Sequence, residues 1–266
     1  MMKTVKEIVF PTLLVIYLII ITGFISSKEK VQKVNALEIR IIDSTDNQFI
    51  KSDEVRNMLA HKKFNPFGKP AVTVILRDIE QSLKSRQIIS RAEAYITEPG
   101  VVHVEIRQKT PFIRIFNRQG QGYYLDNKGN IIPLSGNFGP HVIVASGYIT
   151  EPFRIGQTQN IFDVRHDSLS RSKMTIYEVY RLADFISGND FWKAQIEQIY
   201  VNGNYEFELI PRVGPHVIEL GRAEDLEEKF GNLKLLYLEG LNNLGWNQYE
   251  KISLKYKNQV VCTKIQ

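Results

Sequence analysis

Catalysis by side chains needs particular residue types held close together, and this chain offers few of them. Its five histidines, His61, His103, His141, His166 and His216, are scattered, each expected on a surface or a strand face. No His-Glu-x-x-His pair occurs, which excludes a helical zinc-protease site. The single cysteine, Cys262, excludes an intramolecular disulfide and any multi-cysteine zinc or iron–sulfur centre. In an apolar terminal strand it reads as a small hydrophobe. There is no Gly-x-Ser-x-Gly elbow, Walker loop or Ser-x-x-Lys motif. Gly120-Gln121-Gly122 leads into a strand rather than a helix, so it predicts a hairpin turn and not a nucleotide loop. Asp126 to Asn130 has calcium-loop residues without the closing Glu, and a tight turn between strands accounts for it. Glu206 and Glu208 share a strand face opposite Tyr205, Phe207 and Leu209, the pattern of a solvated face. No enzyme, no metal and no cofactor is expected.

The 266 residues are 43% hydrophobic and 24% charged, with 14 Phe and 12 Tyr, which excludes a disordered chain. This length suits an anchor plus two modest domains. The net charge of +5 is unevenly placed. Positions 1–110 hold 17 basic and 12 acidic residues, and positions 111–266 hold 17 of each. That excess is too slight and too dispersed for a nucleic-acid footprint.

Ile8 to Ile25 is a run of 18 uncharged residues, and as a helix it spans ~27 Å, enough for a hydrocarbon core. No frame just after the run puts small residues at both −3 and −1, since Phe24 or Ile25 stands at −3 when Ser26 or Ser27 is at −1, so an uncleaved anchor is expected over 8–25. It follows a cytoplasmic tail, 1–7, and precedes a polar stalk, 28–36. Lys3 and Lys6 lie before it and Lys28, Lys30 and Lys33 after it, so charge counting does not favour an inside N-terminus.

Beyond the stalk, Leu37 to Ile41 alternates as a strand. Helices are predicted after Ser52 and after Asp78, each of which can act as a cap, and Asn65 to Pro70 is a turn-rich loop. Ala92 to Ile96 and Val101 to Arg107 form a hairpin about Glu98-Pro99-Gly100. After Pro111 the chain turns β-rich, with helices over Met174 to Ile186 and Ala223 to Leu244. Residues 150–173 are ambiguous. The last strands are Lys251 to Lys257 and Gln259 to Thr263. The fold class is therefore α+β: one transmembrane helix, a β-α-α-β-β domain over 37–108, then a larger domain over 109–266 with helices on an antiparallel sheet.

Several segments resemble the FtsQ/DivIB family of bacterial cell-division proteins. The order of elements in 37–107 resembles a POTRA module. Ile106-Arg107-Gln108-Lys109-Thr110-Pro111 resembles the family's junction, a strand ending in Gln-Arg-x-Pro, with Lys109 in place of Arg. Tyr123-Tyr124-Leu125-Asp126, Gly129 and Pro133-Leu134 resemble its β-domain signature. Ile252-Ser253-Leu254-Lys255-Tyr256 is similar to its "DLRY" strand, with Ser253 and Lys255 replacing Asp and Arg. The resemblance implies a non-enzymatic divisome scaffold, anchored in the cytoplasmic (inner) membrane at the septum. Its C-terminal part would face the periplasm and bind FtsL-type and FtsB/DivIC-type single-pass coiled-coil proteins, helping control septal peptidoglycan synthesis. A membrane-tethered envelope hydrolase is the alternative, and it would need a catalytic constellation. A POTRA chaperone for outer-membrane assembly would need a barrel that the length after residue 111 does not provide.

The partner site is expected on the last long strand, taken as a sheet edge with unpaired backbone groups. Ile252, Leu254 and Tyr256 fall on one side of it, and Lys251, Lys255 and Lys257 on the other, with Ser253 between. Fusions after residue 60 to a reporter active only in the periplasm should be active; activity of a cytosolic reporter instead would reverse the expected topology.

Overall fold

The computed structural model describes residues 12–22, 33–43, 49–61, 64–97, 100–136, 138–151, 160–162 and 174–265. The expected tail, parts of the anchor and stalk, Glu98-Pro99 and most of 150–173 lie outside this set. Residues 12–22 are helical, and Leu13 through Ile20 are 50–64% exposed. Among the described residues, no helix is long and apolar enough to cross a membrane. The described part of the expected 18-residue run is this shorter helix.

The chain divides into two compact units, Met1–Gln108 and Lys109–Gln266. In the first, β1 (Ala36–Ile41), α1 (Ser52–Leu59), α2 (Leu76–Lys84), β2 (Ile89–Ile96) and β3 (Val101–Gln108) build a three-stranded sheet of order β1-β3-β2. β1 runs parallel to β3, and β2 antiparallel to it. Alternation on β3 sends Val102, Val104 and Ile106 into a core with Val55, Leu59, Ile79 and Leu83 from the helices. The expected caps differ in detail. Lys51, not Ser52, precedes α1, and Asp78 sits in the first turn of α2, where its charge still suits the positive helix end. Gln108 is buried: its Oε1 accepts from Ile50 N–H at 3.0 Å, and its own N–H donates to Asp43 at 2.9 Å.

The second unit holds β4 (Pro111–Phe116), β5 (Gly122–Asp126), β6 (Ile131–Pro133), β7 (Ile143–Gly147), α3 (Thr175–Ser187), α4 (Asp190–Gln195) and β8 (Ile196–Val201). It continues with β9 (Phe207–Pro211), β10 (Val217–Gly221), α5 (Leu226–Leu235), β11 (Tyr249–Ser253) and β12 (Val261–Lys264). One nine-stranded sheet results, ordered β12-β11-β10-β9-β8-β7-β4-β5-β6. It is mixed rather than purely antiparallel: β4 with β7, β7 with β8, and β10 with β11 are parallel. Inward residues such as Ile115, Ala145, Ile199, Leu209 and Ile218 pack with Val179, Leu182, Trp192, Phe230 and Leu233 of the helices.

The long C-terminal helix expected over 223–244 is interrupted. Asp225 takes a left-handed conformation before α5, and Leu236–Leu241 widens into a π-helical turn. Helix α4 is unexpected from periodicity, because six residues are too few to display it. Its start is set by Asn189, whose Oδ1 accepts from the N–H groups of Phe191 and Trp192.

The β5–β6 turn follows from side-chain chemistry. Asp126 Oδ1 accepts from the N–H groups of Lys128 and Asn130 at 2.8 Å, and its Oδ2 accepts from the Asn130 amide. Gly129 sits at φ +74°, and a Cβ there would lie 2.5 Å from the Phe162 ring. Gly120 has a similar φ of +76° but open space around it. Gly129→Ala should therefore cost about 2–4 kcal/mol, combining backbone strain with overpacking. Gly120→Ala should cost about 1 kcal/mol from strain alone. Urea denaturation of both variants checks the difference, and equal losses would rule out the steric part.

Candidate functional site

The C-terminal corner of the large sheet collects the residues expected to dock a partner, though not as the sequence pattern suggests. β11 ends at Ser253 rather than Lys257, and it is an inner strand, paired to β10 on one side and β12 on the other. Two facts overturn the expected edge: the chain turns at 256–258 instead of extending, and the returning segment covers β11. Ile252, Ser253 and Leu254 are buried, whereas Lys255, Tyr256 and Lys257 are exposed. Tyr256 does not share the buried face of Ile252 and Leu254; it is 58% exposed on the turn.

Among the described residues, β12 forms one edge of the sheet, and alternation identifies the groups it turns outward. Leu254 N–H donates to Glu219 O on the β10 side, so the backbone groups of Lys251 and Ser253 face β12. Their partners Thr263 and Val261 turn their own groups inward, leaving those of Cys262 and Lys264 directed outward. Val261 and Ile265 are 44% and 48% exposed beside them. At the far side of the sheet, Asn130, just before β6, is bridged to Asn160.

A cleft of about 300 Å³ lies next to the β11–β12 turn, lined by Glu206, Arg222, Glu228, Lys229, Lys255 and Tyr256 among others. Lys255 Nζ donates to Glu206 Oε2 at 2.7 Å. That contact holds the Glu206 carboxyl below its ordinary range and the Lys255 ammonium above its own. Asn258, at φ +56°, donates its N–H to Glu228 Oε1 at 3.2 Å, which ties the turn to α5. Lys229 Nζ donates to the carbonyls of Leu220 and Arg222 at 3.0 and 2.8 Å. Burial lowers its pKa despite Asp225, Glu224 and Glu228 nearby. The lining mixes both signs of charge and supplies no nucleophile–base pair. Among the described residues no group of three His, Cys, Asp or Glu could hold a metal ion.

The other sequence-marked residues serve the framework. Lys109 is partly buried, which lowers its pKa, with Asp126 acting against the shift. Pro111 opens β4 opposite Asp126. Tyr123, Tyr124 and Leu125 are buried in β5, and Pro133 ends β6 opposite Tyr123. Glu206 and Glu228 were not singled out as functional, because their relation to the turn arises only in the fold, 49 residues from Lys255 in one case and 30 from Asn258 in the other. The expectation that each histidine lies on a surface or strand face fails for His216. It is 1% exposed, its Nε2 is 2.9 Å from the buried Tyr237 hydroxyl, and Trp246 stacks on its ring.

Residues 110–263 match the family model described as "FtsQ/DivIB, C-terminal related", and residues 32–107 match a POTRA-like domain. The chain belongs to the FtsQ/DivIB family. No curated protein matches it. The FtsQ/DivIB family is one of non-enzymatic cell-division scaffolds, and membership implies association with the division site.

Burial lowers the His216 pKa from its ordinary 6.5, so the fold favours the neutral ring. The unfolded chain then takes up a proton that the folded chain resists, and stability present above pH 6.5 is lost as pH falls below it. Thermal melts should show Tm falling from pH 7 to pH 5. His216→Phe should be less stable at pH 8, with Tyr237 left unpaired, yet show a flatter slope over that window. An unchanged slope would remove His216 as its cause.

Proposed function

We propose that this FtsQ/DivIB-family chain is a membrane-anchored scaffold of the bacterial divisome, with residues 1–7 cytoplasmic, 8–25 spanning the inner membrane, 28–36 a stalk, and POTRA-like (37–108) and β (109–266) domains in the periplasm at the septum. Its partners are FtsL-type and FtsB/DivIC-type single-pass coiled-coil proteins, through which it helps control the septal peptidoglycan synthases. Gln108, Lys109 and Pro111 mark the passage from one domain to the next. The observation that carries the docking site is the unpaired outer edge of β12 beside the charged cleft.

Strand addition to β12 supplies main-chain hydrogen bonds, while the exposed turn supplies side-chain choice. Lys255, Tyr256 and Lys257 contact the partner directly in this reading. Ile252, Ser253 and Leu254 act from beneath, fixing β11 and hence β12. Lys255 offers a cation to an acidic partner residue, in competition with Glu206, and Tyr256 offers an aromatic anchor.

Binding of an FtsB/DivIC-type partner to the purified chain tests this. Lys264→Pro removes an outward N–H without removing an internal ladder bond, and should weaken binding about thirtyfold or more. Tyr256→Ala should cost about tenfold and Lys255→Ala only a few-fold. Circular dichroism checks that each variant is folded. Unchanged affinity in folded Lys264→Pro would place docking elsewhere.

A further inference from the structure

The loop between α1 and α2 exposes apolar side chains that its own domain does not use. Phe64, Ala71, Val74 and Leu76 pack against the core of the first unit. Phe67, Val72 and Ile75 point away, at 43%, 62% and 64% exposure. The loop is built to hold them there. Phe67 N–H donates to Asn65 Oδ1 at 3.0 Å, Ala71–Thr73 forms a 3-10 turn, and Thr73 Oγ1 donates to Pro70 O at 2.8 Å. An exposed apolar cluster on a fixed loop marks a surface that meets something.

Charge and connectivity indicate what it meets. Residues 61–77 contain Lys62, Lys63, Lys69 and Arg77 and no acidic residue, and Asp78, which lines a groove with Lys69 and Ile75, is the first carboxylate after them, which leaves the loop a basic excess in a chain whose entire net charge is +5. Lys69 and Arg77 are exposed. The loop is also hydrogen-bonded to the chain that leaves the apolar N-terminal helix: Val34 N–H donates to Lys69 O, and Gly68 N–H donates to Val34 O, both at 2.9 Å. Exposed Lys33 is bridged to Pro70. Thr22, in that helix, is eleven residues before Lys33, a reach of at most ~40 Å.

We propose that Phe67, Val72 and Ile75, with Lys69 and Arg77 exposed on the same stretch of chain, form a docking patch for the anionic lipid surface of the bilayer that holds residues 8–25. This rests on the membrane-anchor reading above. The apolar tips would enter the interfacial region while the basic groups pair with lipid phosphates. Three side chains bind a bilayer weakly on their own. Tethering by the N-terminal helix raises the effective concentration of lipid surface enough for weak contact to persist. The first domain is thereby held at a defined height and tilt.

The test uses the full chain with Cys262→Ser and one dye-labelled cysteine at position 72 (Val72→Cys), 17 (Tyr17→Cys) or 213 (Val213→Cys). The protein is reconstituted in phosphatidylglycerol/phosphatidylethanolamine vesicles carrying nitroxide lipids. Labels at 17 should be quenched by acyl-chain nitroxides, and labels at 72 by headgroup-level nitroxides, with 213 unquenched. Lys69→Glu with Arg77→Glu should reduce lipid contact at 72 by about fivefold or more for each charge changed. Quenching at 17 but not at 72 overturns the docking patch and leaves the anchor standing. Failure at 17 overturns the anchor reading itself. Equal quenching at 72 in pure phosphatidylcholine overturns the requirement for anionic lipid. Shielding of 72 in detergent without lipid assigns the patch to a protein contact and also overturns the proposal.

Discussion

Parallel pairing between β10 and β11 is the constraint on which the C-terminal surface depends. Two parallel neighbours cannot be joined by a tight turn, so the chain must leave the sheet, run back along it and re-enter. Here α5 and its π-helical extension make that return, burying Leu226, Phe230, Leu233, Tyr237 and Leu241 against the sheet. Large-to-small changes at such positions cost about 2–5 kcal/mol. That helix, through its packing on the sheet, decides where β11 is laid down. Glu228 on α5 then reaches the turn that presents β12.

The same arrangement limits what the β12 edge exposes. β12 has four residues, and it offers outward hydrogen-bonding groups at Cys262 and Lys264. A short edge with a lysine is a poor template for indiscriminate pairing. The Glu206–Lys255 contact and the mixed charges of the cleft lie beside the turn that leads into that edge.

Much of the fold could be read from alternation. β3 and α3 fall where their apolar spacing puts them, and the Asp126 turn follows from the preference of Asp and Gly for such positions. The edge could not be read so. Lys251 to Lys257 alternates cleanly, but period-2 patterning records which face is buried and says nothing of which side is paired. Whether β11 has one neighbour or two depends on Val261–Lys264 folding back on it about the turn at 256–258, and the unbroken alternation from Lys251 to Lys257 hides that turn. The π-helical turn escapes for a related reason: Leu233, Tyr237 and Leu241 keep helical spacing through it, so the pattern looks continuous. Scattered spacing gives His216 no local sign of burial, which comes from Tyr237 and Trp246, 21 and 30 residues away in sequence.

The pairing of β1 with β3 has a mechanical consequence. β1 follows the N-terminal segment, and β3 leads directly into the second unit, so these two strands carry any tension along the chain. They run parallel, with six residues in register from Ala36↔Val101 to Ile41↔Ile106. A pull on the start of β1 and the end of β3 therefore slides one strand along the other, loading the hydrogen bonds together in shear rather than peeling them one by one. Gln108, gripping Ile50 and Asp43 at the end of β3, sits at the point where such a force enters. The smaller sheet is thus wired as a load-bearing link.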